Sequence, residues 1–114
     1  MEFLALIYGS EDAWESLSDD ERQAAMERYM SFSKRDEVVG GAELETIGTA
    51  TTVRARNGDR LVTDGPYAEV KEALGGYYVF ECNSIDEACR LAAEIPAAEH
   101  GAIEVRPVYV REES

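Results

Sequence analysis

The 114-residue chain reads as one α+β domain, an antiparallel sheet with two helices on one face, and three observations carry that reading. Two serine-led capping boxes, Ser18-Asp19-Asp20-Glu21 and Ser84-Ile85-Asp86-Glu87, each precede an apolar stripe at helical spacing. Asn57-Gly58, a dipeptide that suits the type I′ turn, stands between two short β-like runs. The runs 3–8 and 77–82 are apolar at odd and even positions alike, the pattern of strands covered on both faces.

In chain order, Phe3-Leu4-Ala5-Leu6-Ile7-Tyr8 predicts the first strand, and a polar loop follows it. A helix then starts at Ser18, whose hydroxyl accepts from the amide of Glu21 while Glu21 reaches back. Its stripe is Ala25, Tyr29 and Phe32 with Met26, Met30 and Ser33 beside them, running toward Lys34-Arg35 and stopping before Gly40-Gly41. Residues 42–56 read as β, with Thr49, Thr51, Val53 and Ala55 on one face and Thr52, Arg54 and Arg56 on the other. The Asn57-Gly58 turn pairs 51–56 with 59–63. Residues 77–82 form the next strand, and a second helix carries Ile85, Ala88, Cys89, Ala92 and Ile95 to an end near Pro96. Residues 102–110, with Ile103 and Val105 alternating against Glu104 and Arg106, make the last strand. Two strand-helix-strand halves with a hairpin between them are the ferredoxin-like plan, here over residues 1–110 with a short tail at 111–114. Helices on one side leave the other sheet face apolar and open, so the pattern predicts a C2 homodimer with facing sheets.

Composition narrows the function. Twenty-four acidic against eleven basic residues give a net charge of −13, which repels phosphate backbones and argues against direct nucleic-acid binding. The first apolar run spans six residues, too few for a signal h-region or a membrane span, so the expectation is a cytoplasmic protein with no membrane partner. Cys82 and Cys89 fit neither a redox pair nor a zinc half-site and read as reduced thiols among apolar neighbours. One His and scattered carboxylates make no metal set. Gly75-Gly76 leads into a strand rather than the helix that a phosphate cradle needs, and Gly9-Ser10 lacks a nucleophile-elbow pattern. No cofactor is expected.

The best site candidate is Asp64 to Gly76, where turn formers, three carboxylates and one of two lysines crowd together. In Asp64-Gly65-Pro66 the carboxylate can cap its own backbone, Gly accepts positive φ and Pro fixes the next φ, so the charged loop is held stiffly. Asp64, Glu69 and Glu72 are candidate acid-base or ligand-binding carboxylates, with a turn cap and solvated glutamates as the alternative. Lys71 can serve as base or anion holder, or pair with its acidic neighbours. His100, before Gly101, is placed to project from a strand end toward a cleft mouth, imidazole being the side chain that changes charge near neutral pH; a structural loop His is the competing reading. Tyr67, Tyr77 and Tyr78 can line a pocket or pack in the core.

These residues carry a resemblance. Asp64-Gly65-Pro66-Tyr67, Glu69, Lys71-Glu72 and Gly75-Gly76-Tyr77-Tyr78, followed by Ile95-Pro96-Ala97, His100-Gly101 and Glu104-Val105-Arg106-Pro107, look like the DGPF branch of the YCII-related family. The resemblance implies a ferredoxin-like fold assembled as a dimeric α+β barrel, with a cleft between or beside the sheets. It also implies kinship with enzymes in which a His-Asp pair is proposed for acid-base work, but the family His lies on the first helix and Arg22 to Phe32 contains none. A mechanism built on that His does not transfer. Members of this branch are often encoded beside extracytoplasmic-function sigma factors. Two readings follow: a dimer that binds a small organic molecule beside the Asp64 loop, with proton transfer by Asp64, Lys71 and His100 and binding by Tyr67, Glu69, Glu72 and Tyr77; or a non-enzymatic regulatory module linked to a sigma factor.

Overall fold

The computed structural model describes residues 1–68 and 71–112. The elements are β1 (Glu2–Gly9), α1 (Glu11–Glu15), α2 (Asp19–Ser33), β2 (Val38–Glu43), β3 (Thr51–Arg56), β4 (Asp59–Asp64), β5 (Ala73–Glu81), α3 (Ile85–Ala92) and β6 (Ala102–Pro107). Short 3-10 turns lie at Ile47–Thr49 and Pro96–Glu99. Strands β2, β5, β1 and β6 form one sheet in that order with every neighbouring pair antiparallel, which is the ferredoxin-like order.

Alternation divides the sheet into two apolar faces. Phe3 and Ala5 of β1 and Phe80 of β5 are buried under the helices with Phe32 of α2, Ala88, Leu91 and Ala92 of α3, and Ile95. The Phe32 ring meets Tyr78 and Phe80 edge-on at centroid distances of 5.1 and 5.9 Å. On the helix-free face, Leu4 lies opposite Val79 and Leu6 opposite Tyr77, all half-buried, with Arg106 and Glu104 as their neighbours on β6.

The Asn57-Gly58 turn forms as the dipeptide predicts, with φ of 52° and 82°, both positive as type I′ geometry requires. Its register runs from Thr51 opposite Asp64 to Arg56 opposite Asp59. Among the described residues the ribbon pairs with no strand of the main sheet. The described molecule is accordingly flat and extended, 50 × 46 × 18 Å with a radius of gyration of 16.4 Å, against about 13 Å for a compact chain of this length.

Five expectations need correction. The loop after β1 contains α1, capped by the Ser10 hydroxyl accepting from the Ala13 amide at 3.2 Å; with no buried residue it leaves no apolar stripe to read. Gly40-Gly41 do not stop a helix but lie inside β2, because a Cβ at Gly41 would stand 2.6 Å from the Tyr77 carbonyl oxygen and only glycine permits that approach. The β run expected from 42 to 56 breaks after Glu43, where the Ile47 amide donates to Glu11 Oε2 at 2.7 Å and ties the 3-10 turn to α1. The last strand stops at Pro107 rather than continuing to residue 110. Of the two thiols, Cys82 is buried but Cys89 is exposed, since it follows the core-facing Ala88 by one helical step and so turns outward.

The two caps also differ. At Ser18 both halves of the box form, with the Glu21 amide donating to Ser18 Oγ at 3.1 Å and the Ser18 amide donating to Glu21 Oε1 at 3.0 Å. At Ser84 the hydroxyl accepts from the Glu87 amide, but Glu87 reaches one residue further back, to the Asn83 amide at 2.8 Å.

Candidate functional site

Helix α2 touches the sheet mainly at its C-terminal end, through Phe32, its one buried residue. Toward its start it stands away, and the space so left is a cleft of about 1490 Å³. Ala25, Met26, Tyr29, Met30 and Ser33 of α2 form one wall; Ile7 of β1 and Ala73, Gly75, Gly76 and Tyr78 of β5 form another. Trp14 of α1 and the Pro96 to Gly101 segment close the ends. Met26 and Met30, expected beside the core stripe, are 54% and 61% exposed because they border this opening rather than the sheet.

Several of the polar groups on the lining are fixed by bonds within the chain. Tyr78 donates its hydroxyl proton to Ser33 Oγ at 3.1 Å, since Ser33 already donates to the Tyr29 carbonyl at 2.8 Å. Burial pushes the Tyr29 phenol above the usual tyrosine range, and the Ala97 main chain partly offsets this. Arg28 of α2 pairs with Glu99, bridging the helix to the turn that carries His100. The Arg28 guanidinium bonded to it holds the Glu99 carboxyl below the usual carboxylate range.

His100 stands exposed on the rim. Its position is fixed by backbone: its own amide and that of Gly101 both donate to the Ala97 carbonyl, at 3.2 and 2.7 Å. A Cβ at Gly101 would lie 2.1 Å from the Tyr8 carbonyl oxygen, so only glycine lets this turn close on β1.

Of the residues expected to act together, His100 belongs to the cleft wall, with Ala73, Gly75 and Gly76 from the far half of the Asp64 to Gly76 segment; Tyr77 borders it from β5, but alternation turns its side chain to the helix-free face opposite Leu6. Asp64, at the end of β4, and Lys71 and Glu72, just before β5, are exposed and are not among the described residues of that wall. Tyr67 is 78% exposed, with the Arg54 guanidinium 5.2 Å from its ring centre. Glu69 lies outside the described residues. The turn itself follows its residues: Gly65 has φ of 102°, its amide donates to the Ala50 carbonyl at 2.7 Å, and its own carbonyl accepts from the Thr52 hydroxyl at 2.8 Å. Sequence reasoning passed over Trp14, Arg28, Tyr29, Ser33 and Glu99 as site residues. The available signal was Tyr29 and Ser33 one turn apart on the helix, a hydroxyl pair inside an otherwise apolar stripe.

Among the described residues no helix is long and apolar enough to cross a membrane. An uncharacterised protein of Rhizobium meliloti (strain 1021) is 36% identical over 115 residues, covering 95% of this chain and 92% of that one. The solved structure of a 5-chloro-2-hydroxyhydroquinone dehydrochlorinase from Burkholderia phenoliruptrix AC1100, in complex with 2,5-dihydroxybenzoquinone, aligns with a TM-score of 0.52 over 96% of this chain and 94% of that one. At 16% identity that likeness speaks for the fold alone. The YCII-related domain matches residues 1–112, and the chain belongs to the YCII-related family.

Proposed function

We propose that this protein, as a member of the DGPF branch, binds a small hydroxylated aromatic molecule in the cleft between α2 and the sheet and moves a proton on it with His100. The carrying observation is the cleft's composition: Trp14, Tyr29, Tyr78 and two methionines supply ring-sized apolar surface, while the Tyr78–Ser33 hydroxyls and the Arg28–Glu99 pair supply a few fixed polar groups. Apolar walls with sparse, placed polar groups are the usual build of a small-molecule site. The structural neighbour holds a dihydroxybenzoquinone, a ligand of that chemistry.

In this reading His100 takes a proton from a ligand hydroxyl or activated carbon at the cleft mouth and returns it, the role that the missing helix His leaves vacant. Asp64 and Lys71 remain secondary candidates on the segment that leads into β5, and the protein works as the facing-sheet homodimer that its open apolar face demands.

A thermal-shift series with phenols, hydroquinones and hydroxyquinones tests the proposal. The expected result is a ligand that raises Tm, is weakened by Tyr78→Phe, and still binds His100→Gln while its conversion falls by about 100-fold or more. Asp64→Asn and Lys71→Met are expected to have smaller effects. A probe set without a single stabilising ligand, or full turnover in His100→Gln, contradicts it.

A further inference from the structure

Two tyrosines line the cleft from opposite walls, Tyr29 on α2 and Tyr78 on β5, and their phenol protons are not equivalent. The Tyr78 proton goes to Ser33 Oγ at 3.1 Å, because the Ser33 proton already points to the Tyr29 carbonyl at 2.8 Å. The Tyr29 phenol meets the Ala97 main chain, and that bond opposes the rise that burial causes. A bond with this effect is donated by the Ala97 amide to the phenol oxygen. The Ala97 carbonyl is not open to the phenol proton, since it accepts the His100 and Gly101 amides at 3.2 and 2.7 Å. Among the described residues the Tyr29 proton thus has no acceptor.

Its surroundings turn that proton toward a ligand. The Tyr29 ring is half-buried and rests on the core beside Tyr78 and Ala97, which fixes the phenol at the cleft wall. Burial, with smaller pushes from Tyr78 and Glu43, keeps the phenol protonated at neutral pH, so it serves as a donor and not as a base. Ala97 also joins it to His100: the two residues stand three positions apart at a 3-10 turn, about 6 Å along its axis, a span that one substituted ring bridges.

We propose that Tyr29 donates its phenol hydrogen bond to the carbonyl oxygen of an enolisable hydroxyaryl ketone while His100 takes the proton from the carbon beside that carbonyl. The inference rests on the small-molecule reading above and narrows its ligand from any hydroxylated aromatic to one bearing a ketone. In the step the C–H electron pair becomes the enolate C=C bond and the carbonyl π pair moves onto oxygen, where the Tyr29 hydroxyl holds it. His100 then returns the proton to the enolate, so atoms and electrons balance within the ligand. A fixed donor of this kind gains strength as charge develops on the oxygen it faces.

The test uses 4-hydroxyacetophenone, whose carbonyl stretch reports a donated hydrogen bond and whose methyl protons exchange in D2O through the enol. The parent is expected to bind it and to speed methyl exchange, followed by proton NMR. Tyr29→Phe keeps the packed ring, with circular dichroism as the check; it is expected to move the bound carbonyl stretch to higher frequency and to slow exchange about 100-fold or more. His100→Gln is expected to slow exchange while leaving the stretch of the bound probe as in the parent. Tyr78→Phe is expected to leave that stretch in place, because its proton belongs to Ser33; if this variant moves it and Tyr29→Phe does not, the inference falls. A bound probe that exchanges no faster than in buffer overturns it as well. Binding of phenols without binding of this ketone overturns the inference alone, and a protein that binds neither loses both readings.

Discussion

The two halves of the sheet-and-helix layer are built from one plan and do different work. In the second half, α3 spans eight residues and buries Ala88, Leu91 and Ala92 against the sheet, with Ile95 fully enclosed just beyond. In the first half, α2 spans fifteen residues and buries only Phe32. The longer helix therefore contributes less to the core. Its free stretch instead forms a cleft wall, anchored at one end by Phe32 and the Arg35–Glu94 pair and further up by Arg28 to Glu99. Stability is concentrated in one half, and room for a ligand in the other.

The sharpest way to break this contrast is to cut equivalent apolar groups from each helix. Leu91→Ala is expected to cost about 2–5 kcal/mol, since a 3% exposed leucine leaves a cavity the sheet cannot fill, whereas Met30→Ala, bordering open space, should stay within about 0.5 kcal/mol. Denaturant titration of both variants checks the difference, and equal losses would mean that α2 is seated as firmly as α3. The next effect in size concerns the turn that presents His100. Gly101→Ala drives a methyl into the Tyr8 carbonyl, with an expected cost of about 1–3 kcal/mol and displacement of His100 from the rim, read as a lowered Tm together with lost ligand response.

Smaller, and dependent on pH, are the effects of the α2 anchors. Glu21 is held below the ordinary carboxylate range by the Ser18 main-chain and side-chain bonds, and Glu99 by Arg28. Groups whose folded pKa is depressed stabilise the fold above their unfolded value near 4.5 and lose that contribution as pH falls through the folded value. Thermal melts from pH 7 down to 3 should therefore show Tm falling below about pH 4.5, with a shallower fall in Glu21→Gln and in Arg28→Met. Ser18→Ala should also cost about 1 kcal/mol at neutral pH.

Much of this architecture was legible because it rests on local chemistry. Ser18 and Ser84 start their helices, Asn57-Gly58 turns the ribbon, and the double-sided apolar runs become the two central strands. The reading failed where a residue's role depends on a neighbour distant in sequence. Gly40-Gly41 resemble a helix stop in isolation, yet Gly41 is required by the carbonyl of Tyr77, thirty-six positions away. The cleft was hidden for the same reason: Tyr29, Ser33 and Met30 form an ordinary amphipathic stripe, and only the gap between α2 and β5 turns them into a wall. The Asp64 loop was conspicuous through its turn residues and charge, but the described part of it before Ala73 lies outside that wall.

Amide hydrogen exchange on α2 and α3, with and without 2,5-dihydroxybenzoquinone as probe, tests most directly the division between a structural and a ligand-facing half. The account predicts that α2 amides ahead of Phe32 exchange faster than those of α3 in the free protein, and that the probe slows α2 and the His100 turn while leaving α3 unchanged. Equal protection of the two helices in the free protein, with no response of α2 to the probe, would contradict it.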